Sequence, residues 1–233
     1  MEITAREAAR RIGERHLLSR DQARRVLAAG LAGPGRRTAS ALLFKEESVE
    51  ALLARPMCDR DTLDELRPFI ARLGRQRSLT LEQSWAQQAA VAGTGWRLPA
   101  LTRVALRLPG QARHGRHPFI ATLGGWVVLG AEITGWSIDP TQRAPRRSAP
   151  ICSFDLTPPG RWYAAVAETW LPIENGAAWT LWGATTTTPS KLDSLSMDYH
   201  KQIQAAVLRA LAEPPRSVLR ASAARATRPP DRR

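Results

Sequence analysis

Short amphipathic segments and helix-capping residues alternate through the first part of the chain. Thr4 and Glu7 have the spacing of a capping box, in which the threonine oxygen accepts from the Glu7 amide and the glutamate returns to the Thr4 amide. Apolar residues then recur at helical spacing, at Ala8, Ala9 and Ile12. Gly13 accepts the left-handed conformation in which helices often end. The pattern therefore predicts a first helix that ends at Gly13.

A second helix is predicted by the same signals a few residues later. Ser19 and Gln22 form another capping box, and Gly30 follows the last apolar position. The apolar face of this helix consists of Ala23, Val26 and Leu27. Two capped helices with a brief connection are typical of a helix-turn-helix.

The residues after the second helix predict a hairpin and a closing helix. Residues 31–35 form a turn, and Arg36, Arg37 and Thr38 occupy the expected hairpin tip. Residues 41–44 are the expected returning strand, and residues 45–54 the third helix. The inner face of that helix is Val49, Leu52 and Leu53.

This order of elements resembles the winged helix-turn-helix of the MerR and phage-excisionase superfamily. The matching pieces are Glu7-Ala8-Ala9, Ser19-Arg20 with Ala23, Gly30-Leu31, the basic hairpin at Arg36 and Arg37, and the closing helix at 48–53. The resemblance covers about a quarter of the chain, and its order and spacing are more specific than any single piece. The connection at 14–18 departs from the family, because it is longer than the usual tight turn.

The resemblance implies that the second helix enters the major groove of double-stranded DNA, with the hairpin beside it. Arginine can bond guanine through two N–H groups or hold a phosphate. The residues expected to contact DNA are Arg20, Asp21, Arg24, Arg25, Arg36, Arg37 and Thr38. The alternative is a three-helix packing unit whose arginines are merely solvated.

We predict four regions: a winged helix-turn-helix domain at 1–56, a helical linker at 57–94, an α+β domain at 95–213 and a disordered basic tail at 214–233. In the linker, apolar spacing predicts a helix over 61–73, broken at Pro68, and another over 78–92. The linker is expected to act as a hinge or as a dimerisation arm.

The third region is predicted to be an antiparallel sheet with one covering helix. Gly124-Gly125 between two apolar runs predicts a hairpin of 119–123 and 126–129. A strand at 151–156 follows a Pro- and Arg-rich loop at 139–150, and residues 101–108 fit either a helix or a strand. A second hairpin is expected from 162–173 and 177–182 around residues 174–176, and a long helix over 190–211.

Composition adds a preference for a polyanionic partner. The net charge is +13, which favours DNA through steering and counterion release. Only three of the 34 basic residues are lysine, and an excess of arginine is also typical of GC-rich genomes, so charge alone does not establish binding. No apolar run predicts a membrane span, and the charged first residues predict no secretory signal. We expect a cytoplasmic, nucleoid-associated protein, in keeping with two distant cysteines, Cys58 and Cys152.

Candidate chemistry in the third region is sparse. Six tryptophans could line a ligand pocket or fill the core of a dimerising sheet, and the core is the favoured interpretation: Trp126, Trp136, Trp162, Trp170, Trp179 and Trp182. His114 and His117 are assigned to a solvated loop. Scattered carboxylates show no metal-binding spacing, at Glu132, Asp139, Asp155 and Glu168. We therefore predict no catalytic residue, no metal and no cofactor.

Two functions from different classes follow from these observations. The first is a sequence-specific DNA-binding protein, a transcriptional regulator or mobile-element accessory factor, in which the C-terminal domain forms a homodimer or senses a small-molecule ligand. The second is a metal-dependent enzyme acting on nucleic acid and targeted by its N-terminal module. A non-enzymatic module that binds protein is the third alternative.

Overall fold

The computed structural model of the chain describes residues 1–106, 116–139, 149–171 and 178–183. Helices and sheets are mixed in these residues, in agreement with the predicted α+β class. The first elements are β1 (Glu2–Thr4), α1 (Ala5–His16), α2 (Arg20–Ala28), β2 (Arg36–Arg37), β3 (Leu42–Lys45) and α3 (Glu46–Leu53). They are followed by α4 (Arg60–Leu66), β4 (Phe69–Arg72), α5 (Trp85–Gly93), β5 (Trp96–Arg97), α6 (Ala100–Ala105), β6 (His117–Leu123), β7 (Trp126–Ile138), β8 (Ile151–Thr157), a 3-10 helix (Arg161–Ala165) and β9 (Trp179–Leu181).

The first three helices pack around a small antiparallel sheet in which β3 lies between β1 and β2. Ile3 of β1 pairs with Phe44 of β3, and both are buried. Arg11 joins α1 to α3 through ion pairs with Glu46 and Glu50, at 2.9 and 3.0 Å. The described chain thus has two helices, a β-hairpin and a third helix in the predicted order, with β1 as an additional strand.

The connection between α1 and α2 is shorter than the sequence predicted. Gly13 does not end α1, which continues for another turn to His16. Leu17 adopts the left-handed conformation instead, with φ at 53°, and the amide of Leu18 donates to the Gly13 carbonyl at 3.0 Å. Since Ser19 already caps α2, only Leu17 and Leu18 separate the helix from the next cap.

The larger sheet has six strands in the order β5-β8-β7-β6-β4-β9. Strand β4 runs parallel to β6, whereas the other neighbouring strands are antiparallel. The sheet is therefore mixed, and the prediction of a purely antiparallel sheet was wrong. The glycine hairpin between β6 and β7 and the strand β8 are confirmed.

The difference arises in the segment predicted as a helix over 61–73. Helix α4 ends at Leu66, Arg67 caps it with φ at 46°, and the chain continues as β4. Phe69, Ile70 and Ala71 are buried, because β6 and β9 flank β4 and both faces of the sheet are covered. Periodicity cannot distinguish a fully buried strand from a buried helical segment. The predicted helical linker is consequently only partly helical.

Several further predictions differ from the structure or fall outside it. Helix α5 begins at Trp85, after a capping box of Ser84 and Gln87, rather than at residue 78. Residues 161–165 form a 3-10 helix and not a strand, while β9 lies within the predicted 177–182 strand. The ambiguous segment 101–108 is helical at α6 over its described part. The turn at 174–176, the helix over 190–211, the tail at 214–233 and most of the loop at 139–150 lie outside the described residues.

One apolar core joins the N-terminal helices to the larger sheet. It includes Ile12 of α1 and Val26 of α2 together with Leu123 and Trp126 at the β6–β7 hairpin. The Trp126 indole N–H donates to the Leu52 carbonyl at 3.2 Å. The position of α2 is therefore fixed relative to the sheet by side-chain packing.

Candidate nucleic-acid interface

Helix α2 is held firmly at its start and along its inner face. The Ser19 hydroxyl accepts from the Gln22 amide at 3.3 Å, and the Gln22 side chain accepts from the Ser19 amide at 2.8 Å. This capping box satisfies two amides that a helix start leaves unpaired. The inner face, formed by Ala23, Val26 and Leu27, is buried as predicted.

The β6–β7 turn approaches this inner face closely. A β-carbon on Gly124, whose φ is 61°, would lie 2.9 Å from the Val26 methyl group and from Leu18. Only glycine combines this backbone conformation with so little space. The close approach leaves α2 little freedom to rotate on the sheet.

A second side of α2 contacts a loop that follows β4. This flanking loop, residues 73–81, contacts three helix positions spaced four residues apart, Asp21, Arg25 and Ala29. The Leu73 carbonyl accepts from the Arg25 guanidinium at 3.3 Å, and the Leu81 amide donates to the Ala29 carbonyl at 2.9 Å. Arg75 forms an ion pair with Asp21. The loop therefore borders α2 along its length.

The remaining side of α2 faces solvent. We call Arg20, Arg24 and Ala28 the exposed stripe, because residues four apart lie above one another on a helix. Neither arginine forms an ion pair or a side-chain hydrogen bond within the described part of the chain. The small side chain of Ala28 lets another molecule approach the helix backbone. The stripe thus presents two available guanidinium groups in a row.

The other two residues predicted on this helix have intramolecular partners. Asp21 is occupied by Arg75, and Arg25 is half-buried and bonded to the Leu73 carbonyl and, at 3.4 Å, to the Asp21 carbonyl. A guanidinium held by backbone carbonyls is less available to an outside ligand than a solvated one. The guanidinium groups of Arg20 and Arg24 are therefore accessible to an outside ligand, whereas Asp21 and Arg25 are engaged in contacts within the protein.

The predicted hairpin residues are also placed differently from one another. Arg36 and Arg37 lie in β2 and not at the tip, which is formed by residues 38–41. Arg36 pairs with Glu2, its Nε donating to Oε1 at 3.0 Å, and this contact lowers the pKa of Glu2. Thr38 closes the turn by bonding Ala41. Arg37 is exposed and has no side-chain partner among the residues described.

Two of the four arginines of α1, Arg10 and Arg11, are neutralised by ion pairs. Arg10 bonds Glu7 and Glu14, each at 2.6 Å, and Arg11 bonds Glu7 at 3.0 Å. Hydrogen bonds from Arg10 and then Arg11 lower the pKa of Glu7 to about 2. An open cleft of about 560 Å³ lies beside these pairs and is bordered by Arg20 of the exposed stripe. Arg6 and Arg15 of the same helix are exposed and have no side-chain partner among the described residues, so unpaired positive charge lies on α1 as well as on α2 and β2.

The carboxylates that were candidate metal ligands do not converge. Glu132 accepts from the Gly160 amide at 3.0 Å and from Trp162 at 3.3 Å, and it pairs with Arg116. Asp155 and Glu168 are exposed. No group of three or more His, Cys, Asp or Glu side chains able to hold a metal ion occurs within 1–106, 116–139, 149–171 and 178–183.

The histidines and cysteines of the sheet region are buried or outside the described chain. His117 begins β6 and is 2% exposed, so its assignment to a solvated loop was wrong, and His114 lies outside the described residues. Cys58 and Cys152 are both buried free thiols, and burial raises the pKa of each.

The tryptophans contribute to packing. Trp126 is fully buried, and Trp136, Trp170 and Trp179 pack as half-buried side chains against the same core. Trp162 and Trp182 pack against a smaller cluster on the other face of the sheet. These contacts agree with the core interpretation of the tryptophans.

Sequence reasoning missed the flanking loop and its Arg75. The available signal was the run Arg75-Gln76-Arg77-Ser78, which is basic and polar between two apolar segments. Nothing in the run indicates that it lies beside α2, because that position depends on β4 being a strand of the sheet.

Comparisons of the chain with protein-family models, with curated proteins and with solved structures found no match. Among the described helices, none has both the length and the apolar character needed to cross a membrane.

Proposed function

We propose that this protein binds double-stranded DNA in a sequence-specific manner, through a winged helix-turn-helix at residues 1–56. The observation on which the proposal rests is the exposed stripe, where Arg20 and Arg24 have no side-chain partner among the described residues and lie on a helix whose inner face is buried. An α-helix fits the major groove, and an arginine there can bond the edge of a guanine at two points.

Each element has a role in this proposal. Helix α2 enters the major groove with Arg20 and Arg24 directed at base edges or phosphates. Ala28 allows the helix to lie close to the duplex. Arg37 of β2 contacts the backbone or minor groove next to it, and Arg36 does so in competition with Glu2. The net charge of +13 adds attraction that does not depend on sequence.

The biological role we propose is that of a transcriptional regulator or an accessory factor of a mobile element, acting in the cytoplasm at the nucleoid. The C-terminal sheet would form a homodimer or sense a small molecule. A dimer would place two copies of α2 on successive turns of the duplex, so its DNA target would contain an inverted repeat.

The experiment is selection of bound fragments from a random duplex pool, followed by gel-shift measurements on the enriched sequence. We expect Arg24→Ala to weaken this complex by roughly tenfold or more, since a lost arginine–guanine contact costs about 1–3 kcal/mol. Arg60→Ala is the matched control. It removes an exposed arginine from α4, which packs through Leu63 against the other face of the sheet. Failure to enrich any sequence, or equal losses in the two variants, would refute the proposal.

A further inference from the structure

The flanking loop places a further guanidinium, that of Arg75, at the start of the helix that carries the exposed stripe. The contacted positions at 21, 25 and 29 lie about 100° around the helix from the stripe at 20, 24 and 28, because an α-helix has about 3.6 residues per turn. Because an α-helix is about as wide as the major groove, the groove edges lie close to the flanks of an inserted helix, so a duplex on the stripe can reach a side chain on this flank. The segment that covers these positions is the flanking loop, which follows β4 of the larger sheet and lies outside residues 1–56.

Arg75 is the residue of this loop nearest to the start of α2. Its guanidinium pairs with Asp21, one residue after Arg20, yet its side chain remains 74% exposed. Five N–H donors are present on a guanidinium, so pairing with one carboxylate leaves donors available. Gln76 and Ser78 of the same loop are also exposed and can donate hydrogen bonds.

The charges of this surface favour a phosphate at Arg75. Without Arg75, the carboxylate of Asp21 would repel a phosphate backbone that approached Arg20. With it, the pair is neutral overall, and its more exposed member is the cation, because the Arg75 side chain is 74% exposed and that of Asp21 51%. Asp21 thus acts as a positioning residue that holds Arg75 at the first turn of α2, where Arg20 also lies.

We infer that the flanking loop is part of the DNA-binding surface and that Arg75 contacts a backbone phosphate beside α2. This inference rests on the proposed function and extends it to a segment outside residues 1–56. The duplex would be held between the hairpin of β2 and β3 and a loop of the sheet region. Binding would then depend on how α2 is docked on the sheet.

The test measures the affinity of the full chain for labelled random-sequence duplexes between about 50 and 200 mM salt, where phosphate contacts determine the slope of log affinity against log salt. Arg75→Ala should lower that slope by about 0.9, the contribution of one phosphate contact. It should weaken binding at low salt roughly tenfold or more, since a charge-assisted hydrogen bond is lost. Melting temperature should hardly change, because exposed ion pairs contribute little stability.

Two variants separate contact from simple neutralisation of Asp21. If Arg75 touches phosphate, the double variant Asp21→Asn/Arg75→Ala keeps the reduced slope, and Arg75→Lys keeps the normal one. If the double variant recovers the normal slope, Arg75 only screens Asp21, and the inference is overturned. It is equally overturned if Arg75→Ala binds as well as the unaltered chain, or better, while Arg60→Ala is normal. Absence of any salt-sensitive complex with the unaltered chain would overturn the proposed function, and this inference with it.

Discussion

Trp126→Phe tests whether the N-terminal helices and the larger sheet form one cooperative unit. The Trp126 side chain is fully buried, packs in the core shared by both parts, and donates to the Leu52 carbonyl of α3. The phenylalanine ring removes the indole N–H and leaves part of the space unfilled. We expect a loss of about 2–3 kcal/mol in the free energy of unfolding, about 1 from the hydrogen bond and the remainder from the cavity.

The assay is urea unfolding followed by far-UV circular dichroism and by tryptophan fluorescence. Both signals should give one coincident transition, shifted to lower urea in the variant with an unchanged slope. Trp182→Phe is the control, because its indole bonds the exposed Asp64 carboxylate at 2.7 Å, and it should cost less than about 1 kcal/mol. Separate transitions for the two signals, or equal losses in the two variants, would refute the shared core.

Three further predictions concern stability. Burial, and to a lesser extent Arg15, lowers the pKa of His16. The folded protein therefore binds fewer protons at this site than the unfolded chain, and the free energy of unfolding falls as the pH drops below about 6.5, the ordinary pKa of histidine. In His16→Phe the free energy of unfolding should decrease less between pH 7 and pH 5, and an identical decrease would contradict this. Gly130→Ala should cost about 1–3 kcal/mol, because a β-carbon there would overlap the Tyr163 ring, whereas Gly74→Ala, with open space around it, should be nearly neutral by thermal unfolding. Ser19→Ala removes the α2 cap and should lower stability by about 1 kcal/mol, and a fully retained melting temperature would show that the cap contributes nothing.

Local signals in the sequence determined the start of α2, its apolar face and the β6–β7 turn correctly. The capping box at Ser19 forms as predicted, since it involves residues only three positions apart. At Thr4 only half of the predicted box forms: the threonine hydroxyl accepts from the Glu7 amide, but the Glu7 carboxylate binds Arg10 and Arg11. The inner face of α2 is buried as predicted, because apolar residues that recur with a 3.6-residue period identify the side of a helix that packs against the core. The Gly124-Gly125 turn also forms where two apolar runs meet it. These features depend on neighbours in the chain and can be derived from it.

Tertiary structure decided the features that depend on distant residues. Strand β4 was predicted as a helix because an apolar run lacks a distinguishing period when both faces are buried. Its position in the sheet sends residues 73–81 along α2, where Arg25 meets Leu73 and Asp21 meets Arg75. The arginines can be read from the sequence, but only the packing of the sheet against α2 determined which of them are paired within the described residues and which remain available to a ligand. The physical reason is that an arginine's availability depends on which carboxylates and carbonyls the fold brings within reach, and a sequence pattern does not contain that distance.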